Sequence, residues 1–425
     1  MKIGIEELIE VLDLWPLAPE VRAQIEKTLV DNPPEEGAWL FRYYGKNPSK
    51  VAELEKEFTA TSGAGYALAT NSCTSALIAA LVACGVGPGD DVIVPGYTFI
   101  ATATAAVMAG AVPIIAEVDE SLTLDPEDIE GKITPHTKAI MPVHMRGLPA
   151  NMEAIMAVAR AHNLKVIEDV AQACGGSYHG QWLGTFGDRG CFSFDQYKIM
   201  ASGEGGMIIT NDEYLYTRAQ SYHDTAACWR PNRFAREQRP GELFAGENYR
   251  LSEIQGAVAL AQLRKLQGYI QGCREAKWRL TDELRQAGIA PMRIGPVHDP
   301  EGDAAQTLTL MAPSGPFAKE LIARLQAKKV VAGGIYDKTV RDWHIYPYWE
   351  YIMERKTPTA AGHPYSAYEG KLPDYSASMC PRTIEILEKT VYIGVAAGLP
   401  ADKAHAIATE VARTVKDINR EGIPS

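Results

Sequence analysis

Short apolar runs rich in β-branched residues alternate with helical patterns from about residue 50 onwards. These runs predict strands at residues 66–70, 91–95, 112–118, 138–143, 165–170, 190–194 and 205–210. Segments between the earlier strands, such as SALIAALVACG and MEAIMAVARAHN, have the apolar spacing of helices. Strands and helices that alternate at this spacing are typical of a mainly parallel sheet with helices on both faces. The pattern therefore predicts an α/β fold built on a mainly parallel seven-stranded sheet.

The two ends of the chain break this rhythm. Before residue 50, a helical stretch (LIEVLDLW) is followed by DNPPEEG, whose prolines and glycine end a helix. A helical pattern at about 251–288 is long enough to link a large domain to a smaller one, and mixed strand and helix patterns follow it. We therefore expect a helical lead-in and loop at 1–49, a large domain at 50–289 and a smaller α+β domain at 290–425.

Composition and charge narrow the class of protein. Hydrophobic residues make up 46% and charged residues 22% of the 425 residues, as in a folded globular protein. The 42 basic and 53 acidic residues give a net charge of −11, so the basic footprint of a nucleic-acid-binding protein is not present. The most apolar long stretch, residues 101–116, is too short for a membrane span and contains threonines, a glycine and a proline.

The cysteines and the N-terminus suggest the compartment. Seven cysteines are scattered singly with no C-x-x-C pair, which disfavours a disulfide framework or a zinc site and fits a reducing compartment. The first residues, MKIGIEELIEVLDLW, carry acids within their apolar pattern, unlike a secretory signal. We therefore expect a cytoplasmic protein with no metal, no membrane association and no nucleic-acid partner.

Two features could bind ligands at the sheet edge. The segment NSCTSAL (71–77) lies where a strand gives way to a helix, and free N–H groups at a helix start favour an anion. Plain helix capping by Ser72 or Thr74 explains it equally well. Asp169 ends a predicted parallel strand, at the edge where open α/β sheets bind ligands, although such an acid also serves as an ordinary loop cap.

The stretch GCFSFDQYKIMASGEGGMI (190–208) is the most informative part of the chain. It places Lys198 between two short strands, followed by a glycine-rich turn. A single lysine is usually a solvated surface charge, but desolvation in a tight loop frees the amine for Schiff-base chemistry. A helix-start anion site, a strand-end carboxylate and a loop lysine are together what pyridoxal phosphate requires. They would bind its phosphate, its pyridine nitrogen and its aldehyde.

The order and spacing of these motifs resemble a known family, the DegT/DnrJ/EryC1/StrS aminotransferases. The matching segments are NSCTSAL, VPGYTFIATATAAVMAGAVPI, EDVAQACGGSYHGQWLGTFGDRGCFSF, the block from Lys198 to GEGGMIITND, and NYRLSEIQGAVALAQL. They span about residues 40–265, and the C-terminal third resembles the family more loosely. The resemblance implies the fold of fold-type I pyridoxal-phosphate-dependent transferases.

The resemblance also implies roles around the cofactor ring. Lys198 would form the internal aldimine with pyridoxal phosphate and later move the proton between Cα and C4′. Asp169 would pair with the pyridine nitrogen, Gln172 would reach the ring hydroxyl, and Phe99 would stack on the ring face. Some relatives carry histidine at the lysine position and act as dehydratases, so the lysine here favours transamination.

The phosphate would be bound by the backbone of Cys73 and Thr74 together with the Ser193 hydroxyl. The family usually has glycine where Cys73 stands, and cysteine can still offer its N–H group if its φ is not strongly positive. Asn248, in NYRLSEIQ, would reach the phosphate of the neighbouring subunit. The resemblance therefore implies a homodimer with composite active sites.

Five residues are candidates for the substrate site. Tyr43 and Tyr44, in FRYYG, lie in a region similar to the entry loop of family members that aminate cyclitol ketones, or they are buried packing residues. His344, in WHIYPYW, would close the pocket from the small domain or serve in packing. Arg230 and Arg250 could pair with the donor's carboxylate, and Arg250 could instead orient the Asn248 loop.

We therefore expect a pyridoxal-phosphate-dependent aminotransferase. It would move an amino group from L-glutamate or L-glutamine to a ketone, a keto-sugar or keto-cyclitol, by a ping-pong mechanism through the pyridoxamine form of the cofactor. The alternatives are a transaminase for simple amines or non-sugar ketones, and a non-catalytic regulatory protein that binds the same cofactor.

Overall fold

The computed structural model describes residues 2–42, 48–230 and 232–422. Its α-helices, α1 to α13 in chain order, are Ile5–Leu12, Pro19–Asp31, Lys50–Ser62, Cys73–Ala83, Ala101–Met108, Pro126–Lys132, Met152–Ala161, Glu213–His223, Glu253–Ala287, Gly315–Ala327, Glu350–Met353, Pro381–Lys389 and Ala401–Glu421. Its strands, β1 to β13, are Tyr66–Thr70, Asp91–Pro95, Val112–Ala116, Thr137–Ile140, Lys165–Asp169, Ser177–Tyr178, Gln181–Trp182, Arg189–Ser193, Gly206–Thr210, Arg293–Ile294, Thr307–Met311, Ala332–Gly334 and Thr390–Gly394.

A seven-stranded sheet forms the centre of the fold, in the order β1-β9-β8-β5-β4-β2-β3. The four pairs from β8 to β3 are parallel, whereas β9 is antiparallel to both β1 and β8. The antiparallel pairing of β8 with β9 follows from their short connection, because a parallel pair needs a longer crossover. The prediction of a mainly parallel seven-stranded sheet is confirmed.

Helices cover both faces of this sheet. In β2, Ile93 belongs to one buried cluster and Val92 and Val94 to the other, since successive strand residues point to opposite faces. Helices α3, α7 and α9 contribute to the first cluster, and α4, α5 and α8 to the second. Apolar residues on both faces of the strands are therefore buried, which is why the sequence shows short apolar runs rather than strict alternation.

A second sheet, in the order β10-β11-β13-β12, is antiparallel throughout. Helices α10 and α13 share a buried core with it. The 35-residue α9 contributes Leu260 and Leu263 to the core of the large sheet and Leu280 and Leu284 to this second core. The division of the chain at 49/50 and 289/290 stays a prediction.

Two predicted strands end two or three residues earlier than expected. Strand β4 ends at Ile140, two residues before Pro142, which has no N–H group to donate, and a single parallel bridge from Val143 to Asp169 follows. In the run after β3, the N–H groups of Glu117 and Val118 donate to the side chains of Asp128 and Thr383 instead of a strand. Side-chain acceptors from distant elements therefore shorten the strand beyond what local pattern predicts.

The ends of these elements converge at one edge of the large sheet. Asp169 is the last residue of β5, Ser193 is the last residue of β8, and Cys73 begins α4. Within the described part of the chain, no helix is both long and apolar enough to cross a membrane.

Candidate active site

A cavity of about 730 Å³ opens at this edge. Its wall contains eight of the residues predicted to bind cofactor or substrate: Cys73, Thr74, Phe99, Asp169, Gln172, Ser193, Lys198 and His344. Segments that are up to 271 positions apart in the chain, from Cys73 to His344, thus meet at one place. The position agrees with the rule that open α/β sheets bind ligands outside the carboxyl ends of their strands.

The N-terminus of α4 forms one end of the cavity. Ser72 caps the helix by accepting a hydrogen bond from the Ser75 N–H group at 3.1 Å. The N–H groups of Cys73 and Thr74 form no hydrogen bond within the part of the chain that the structure describes. Unpaired N–H groups at the positive end of a helix dipole are suited to a phosphate.

Cys73 is compatible with this role. It is the first residue of α4 and is not among the residues with positive φ, so its N–H group points along the helix as a glycine's would. Burial raises the pKa of the Cys73 thiol well above its usual value, so the side chain stays neutral beside an anion. Gly206 packs against this turn so closely that a Cβ would lie 2.8 Å from the Cys73 nitrogen.

Asp169 is a buried carboxylate fixed at both oxygens. Oδ2 accepts a hydrogen bond from the Thr102 hydroxyl at 2.9 Å, and Oδ1 accepts one from the Ala171 N–H group at 3.1 Å. The residue is 4% exposed, and burial raises its pKa, while these two donors and the charge of Lys198 oppose the rise. A carboxylate held in this way favours a cationic N–H partner that enters from the cavity.

Lys198 lies in the tight connection between β8 and β9. Its N–H group donates to the Asp195 carbonyl at 3.0 Å, and the Ser202 N–H group donates to the Phe194 carbonyl at 2.8 Å. Gly203 adopts a φ of 85°, which explains the glycine there. The Lys198 amine has no hydrogen-bond or ion-pair partner among the described residues, so it is available to a ligand.

Three further residues complete the wall. The Gln172 Oε1 accepts a hydrogen bond from the Arg146 N–H group at 3.0 Å, which leaves the amide nitrogen to donate elsewhere. The Ser193 oxygen accepts from the Asp195 N–H group at 3.3 Å. The Phe99 ring is 41% exposed and lies 5.2 Å from the His344 ring, so an aromatic face is open to the cavity.

His344 reaches the cavity because its loop pairs with the segment after β2. The Thr98 N–H group donates to the His344 carbonyl at 2.9 Å, and the Ile100 N–H group donates to the Trp343 carbonyl at 2.9 Å. Asp342 accepts from the His344 Nδ1 at 2.7 Å, and this bond lowers the pKa of the Asp342 carboxyl.

The remaining predicted residues lie elsewhere. Arg230 donates to Glu242 at 2.9 Å and to Thr217 at 3.2 Å, outside the cavity wall. Arg250 forms an ion pair with Asp224, also outside the wall.

Asn248 is bridged to Asp224 and accepts from the Arg250 N–H group at 3.4 Å, so it does not reach this chain's own cavity. Tyr43 and Tyr44 lie outside the described residues. The roles proposed for these residues stay predictions.

Sequence reasoning missed two residues of the site. Thr102 follows Phe99 by three positions and therefore lies on the same side of the helix start, which is a signal that could have found it. Asp342 has no local signal, because only the pairing of its loop with the segment after β2 brings it to the cavity. Among the described residues, no group of three or more His, Cys, Asp or Glu side chains could hold a metal ion.

Comparison with known proteins finds one family of enzymes and its members. A profile of the DegT/DnrJ/EryC1/StrS aminotransferase family matches residues 40–362. The GDP-perosamine synthase of Caulobacter vibrioides is 43% identical over 226 residues, which cover 52% of this chain and 58% of that enzyme. The L-glutamine:2-deoxy-scyllo-inosose aminotransferase of Streptoalloteichus tenebrarius is 36% identical over 292 residues, 66% of this chain and 68% of that enzyme.

Solved structures extend the similarity beyond these segments. The crystal structure of 3-amino-5-hydroxybenzoic acid synthase matches with a TM-score of 0.71 and 28% identity. The match covers 95% of this chain and 98% of that one, so both sheets and the helices around them have counterparts there.

Proposed function

The chain belongs to the DegT/DnrJ/EryC1/StrS aminotransferase family, and from this premise we propose that it moves an amino group from L-glutamate or L-glutamine to a ketone on a sugar or cyclitol ring. The cofactor of this aminotransferase is pyridoxal phosphate, as in the family. The observation that carries the proposal is the unpaired Lys198 amine in one cavity with the buried carboxylate of Asp169.

The cavity fits this cofactor at each of its polar groups. The unpaired N–H groups of Cys73 and Thr74 suit its phosphate. Asp169 suits a protonated ring nitrogen, because a buried carboxylate gains most from a cationic hydrogen-bond donor. The amide nitrogen of Gln172 is left to donate to the ring hydroxyl. Each of these roles is part of the proposal.

Different residues of the cavity have different roles in the proposed reaction. When bound, pyridoxal phosphate supplies an aldehyde that condenses with amines and a ring that takes up electron density. Lys198 would hold the cofactor through its amine, and the same amine, when free, would carry the proton away from the donor's Cα. Asp169 would retain the proton on the ring nitrogen, and Phe99, which lines the same cavity, would cover a face of the ring against water. The donor product leaves before the ketone enters, so the kinetics are ping-pong.

The acceptor class rests on the relatives. One relative is named for an inosose ring and another for a nucleotide-linked sugar product. In the part of the chain that the structure describes, Lys198 and Arg146 are the only lysine and arginine that line the cavity. A cavity with so little positive charge suits an uncharged ring ketone better than a sugar with a diphosphate. We therefore place a keto-cyclitol or a free keto-sugar first.

The assembly and compartment are further parts of the proposal. Asn248 lies outside its own chain's cavity, which supports a homodimer in which it reaches the phosphate of the neighbouring subunit. All seven cysteines are free, which supports a reducing cytoplasm.

An absorbance spectrum before and after addition of L-glutamate or L-glutamine tests the function. We expect a visible band from the lysine-bound cofactor that either amino acid converts to the near-ultraviolet band of the pyridoxamine form. Lys198→Ala should bind the cofactor without turnover, while Lys403→Ala, an exposed residue of α13, should behave as the wild type. A visible band that responds only to simple amines would contradict the proposed donor, and substantial activity in Lys198→Ala would contradict the proposed mechanism.

A further inference from the structure

Arg146 is held rigidly in the wall of the cavity. It lies in the 3₁₀ turn Met145–Gly147 with a φ of 55°, a conformation that is uncommon for a residue with a side chain. Its Nε donates a hydrogen bond to the Tyr97 hydroxyl at 2.6 Å, and its guanidinium carbon lies 4.4 Å from the centre of the Tyr392 ring. Strained backbone is typical of residues that serve a site.

The guanidinium of Arg146 forms no ion pair with the residues that the structure describes. No Asp or Glu of the described residues comes within ion-pair distance of Arg146, and its two terminal nitrogens make no hydrogen bond to those residues. The nearby Asp342 carboxylate accepts from the N–H group and Nδ1 of His344, at 2.9 and 2.7 Å, and both bonds end on Oδ1. The charge of Arg146 helps to lower the pKa of this carboxyl, although the two side chains form no ion pair. A guanidinium usually pairs both terminal nitrogens with one anion, so an anionic group of a ligand would complete it.

Most charged side chains of the cavity wall are carboxylates, so the positive charge of Arg146 stands out among them. Four carboxylates line the wall, at Asp169, Asp195, Glu204 and Asp342. Among the described residues, no lysine or arginine other than Lys198 and Arg146 lines the wall. Lys198 is needed for the cofactor in the proposed function. An amino-acid substrate brings a further carboxylate into this acidic surrounding, and Arg146 is the cation left to receive it.

We infer that Arg146 binds the α-carboxylate of the amino donor through its two terminal nitrogens. The inference rests on the proposed function. The contact between Arg146 and Gln172 indicates where Arg146 lies relative to the cofactor in the proposed arrangement. The Arg146 N–H group donates to the Oε1 of Gln172, whose amide nitrogen faces the ring hydroxyl in the proposed arrangement. In pyridoxal phosphate that hydroxyl is next to the carbon that carries the aldehyde, where the donor's amine attaches. In this arrangement the backbone of Arg146 lies on the side of the ring at which the donor reacts, and its side chain lines the same cavity.

This contact would select the class of donor. A simple amine would enter the cavity with the guanidinium of Arg146 still unpaired, so binding of an amino acid is favoured over binding of an amine. A bidentate pair also fixes the orientation of the Cα–H bond, which the amine of Lys198 must reach.

Two substitutions at one position test the inference in the cofactor-loaded enzyme. Arg146→Gln removes the charge but keeps a donor for Tyr97, and Arg146→Lys keeps the charge without the bidentate fork. Arg293→Gln is the matched control, because it removes the same charge from a surface ion pair with Glu120. Calorimetry with glutarate measures carboxylate binding without turnover, and stopped-flow spectra with L-glutamate and L-glutamine separate the donor Kd from the maximal rate.

We expect Arg146→Gln to raise the Kd for glutarate and for the donor by about 10- to 100-fold, with little change in the maximal rate. Arg146→Lys should fall between this variant and the wild type, and Arg293→Gln should match the wild type. The KM for the ketone should stay unchanged in all three. An Arg146→Gln enzyme with a normal cofactor spectrum and an unchanged donor Kd would overturn the inference, and so would a change confined to the ketone's KM.

The failure of the proposed function would look different. If neither amino acid converts the cofactor in the wild type, the proposed donor is wrong. Glutarate binding that Arg146→Gln abolishes would then still support a carboxylate site at Arg146. If Arg146→Gln does not fold, Tyr97→Phe offers a second variant, because it keeps the charge and removes the bond that orients the guanidinium. It should weaken glutarate binding less than the loss of charge does, and unchanged binding in both Tyr97→Phe and Arg146→Lys would contradict the inference.

Discussion

Thr102→Val removes the hydroxyl that donates to the Oδ2 of Asp169 and leaves a side chain of nearly the same shape. The hydroxyl is fully buried, and it also lies 2.7 Å from the Thr98 hydroxyl. After the substitution, the Asp169 carboxylate keeps the Ala171 N–H group as its donor among the described residues. Thr102 is a positioning residue, since it acts through Asp169 and does not contact the reacting atoms in the proposed arrangement.

The size of the effect follows from this one bond. Burial already raises the pKa of Asp169, and the Thr102 hydroxyl opposes the rise by stabilising the charged form. A hydrogen bond to a charged group contributes about 1.5–3 kcal/mol, and 1.36 kcal/mol corresponds to a tenfold change in a protonation equilibrium. Loss of the hydroxyl raises the pKa of Asp169 further, so more of the acid is neutral at a given pH. The acid side of the rate profile should therefore move to higher pH by about 1 to 2 pH units.

The assay is the pH dependence of the donor half-reaction, followed by the change in cofactor absorbance. Thr102→Ser is the matched control, because it keeps the hydroxyl and should retain the wild-type profile. A merely structural role for Thr102 would lower the rate or the melting temperature without moving the profile along the pH axis. The reasoning is refuted if Thr102→Val has the wild-type acid limb while its cofactor remains bound.

Three further substitutions test separate parts of the account. Lys198→Ala should lower turnover by about 10²- to 10⁴-fold while the protein still binds pyridoxal phosphate, as steady-state rates and a dialysis spectrum would show. Gly206→Ala should weaken cofactor binding by about tenfold, since its Cβ would lie 2.6 Å from the Ser72 carbonyl carbon; fluorescence titration measures this, and Gly131→Ala, which meets open space, should bind normally. Phe58→Ala, at a fully buried ring, should lower the free energy of unfolding by about 3–5 kcal/mol in denaturant titrations, and a smaller loss would contradict its place in the core.

Much of the large sheet could be predicted because its strands are buried on both faces. The run YALAT became β1 and DVIVP became β2 with the predicted bounds, since most of their residues are apolar and buried. The same local reasoning located Asp169 and Lys198, which follow strands whose ends must meet at one edge. The end of the cavity at the start of α4 was visible as a strand-to-helix junction.

Long-range pairing of charges could not be predicted. Arg230 and Arg250 are suitable carboxylate partners by residue type, but Glu242 and Asp224 of the same chain already pair with them. Arg146 differs from them: the strand end places it near the cavity, and it has no ion-pair partner among the described residues, which only the tertiary fold decides. Residue type alone does not show whether an arginine forms an ion pair in the folded chain.

The identity of the cofactor-binding lysine is the central claim, and reduction of the purified protein with borohydride followed by peptide mapping tests it most directly. Borohydride fixes a cofactor that is bound through a lysine, and mass spectrometry then identifies the modified residue. We predict a phosphopyridoxyl group on the peptide that contains Lys198 and on no other lysine peptide. A modified peptide elsewhere in the chain, or an enzyme that stays active with Lys198 unmodified after complete loss of the visible band, would contradict the account.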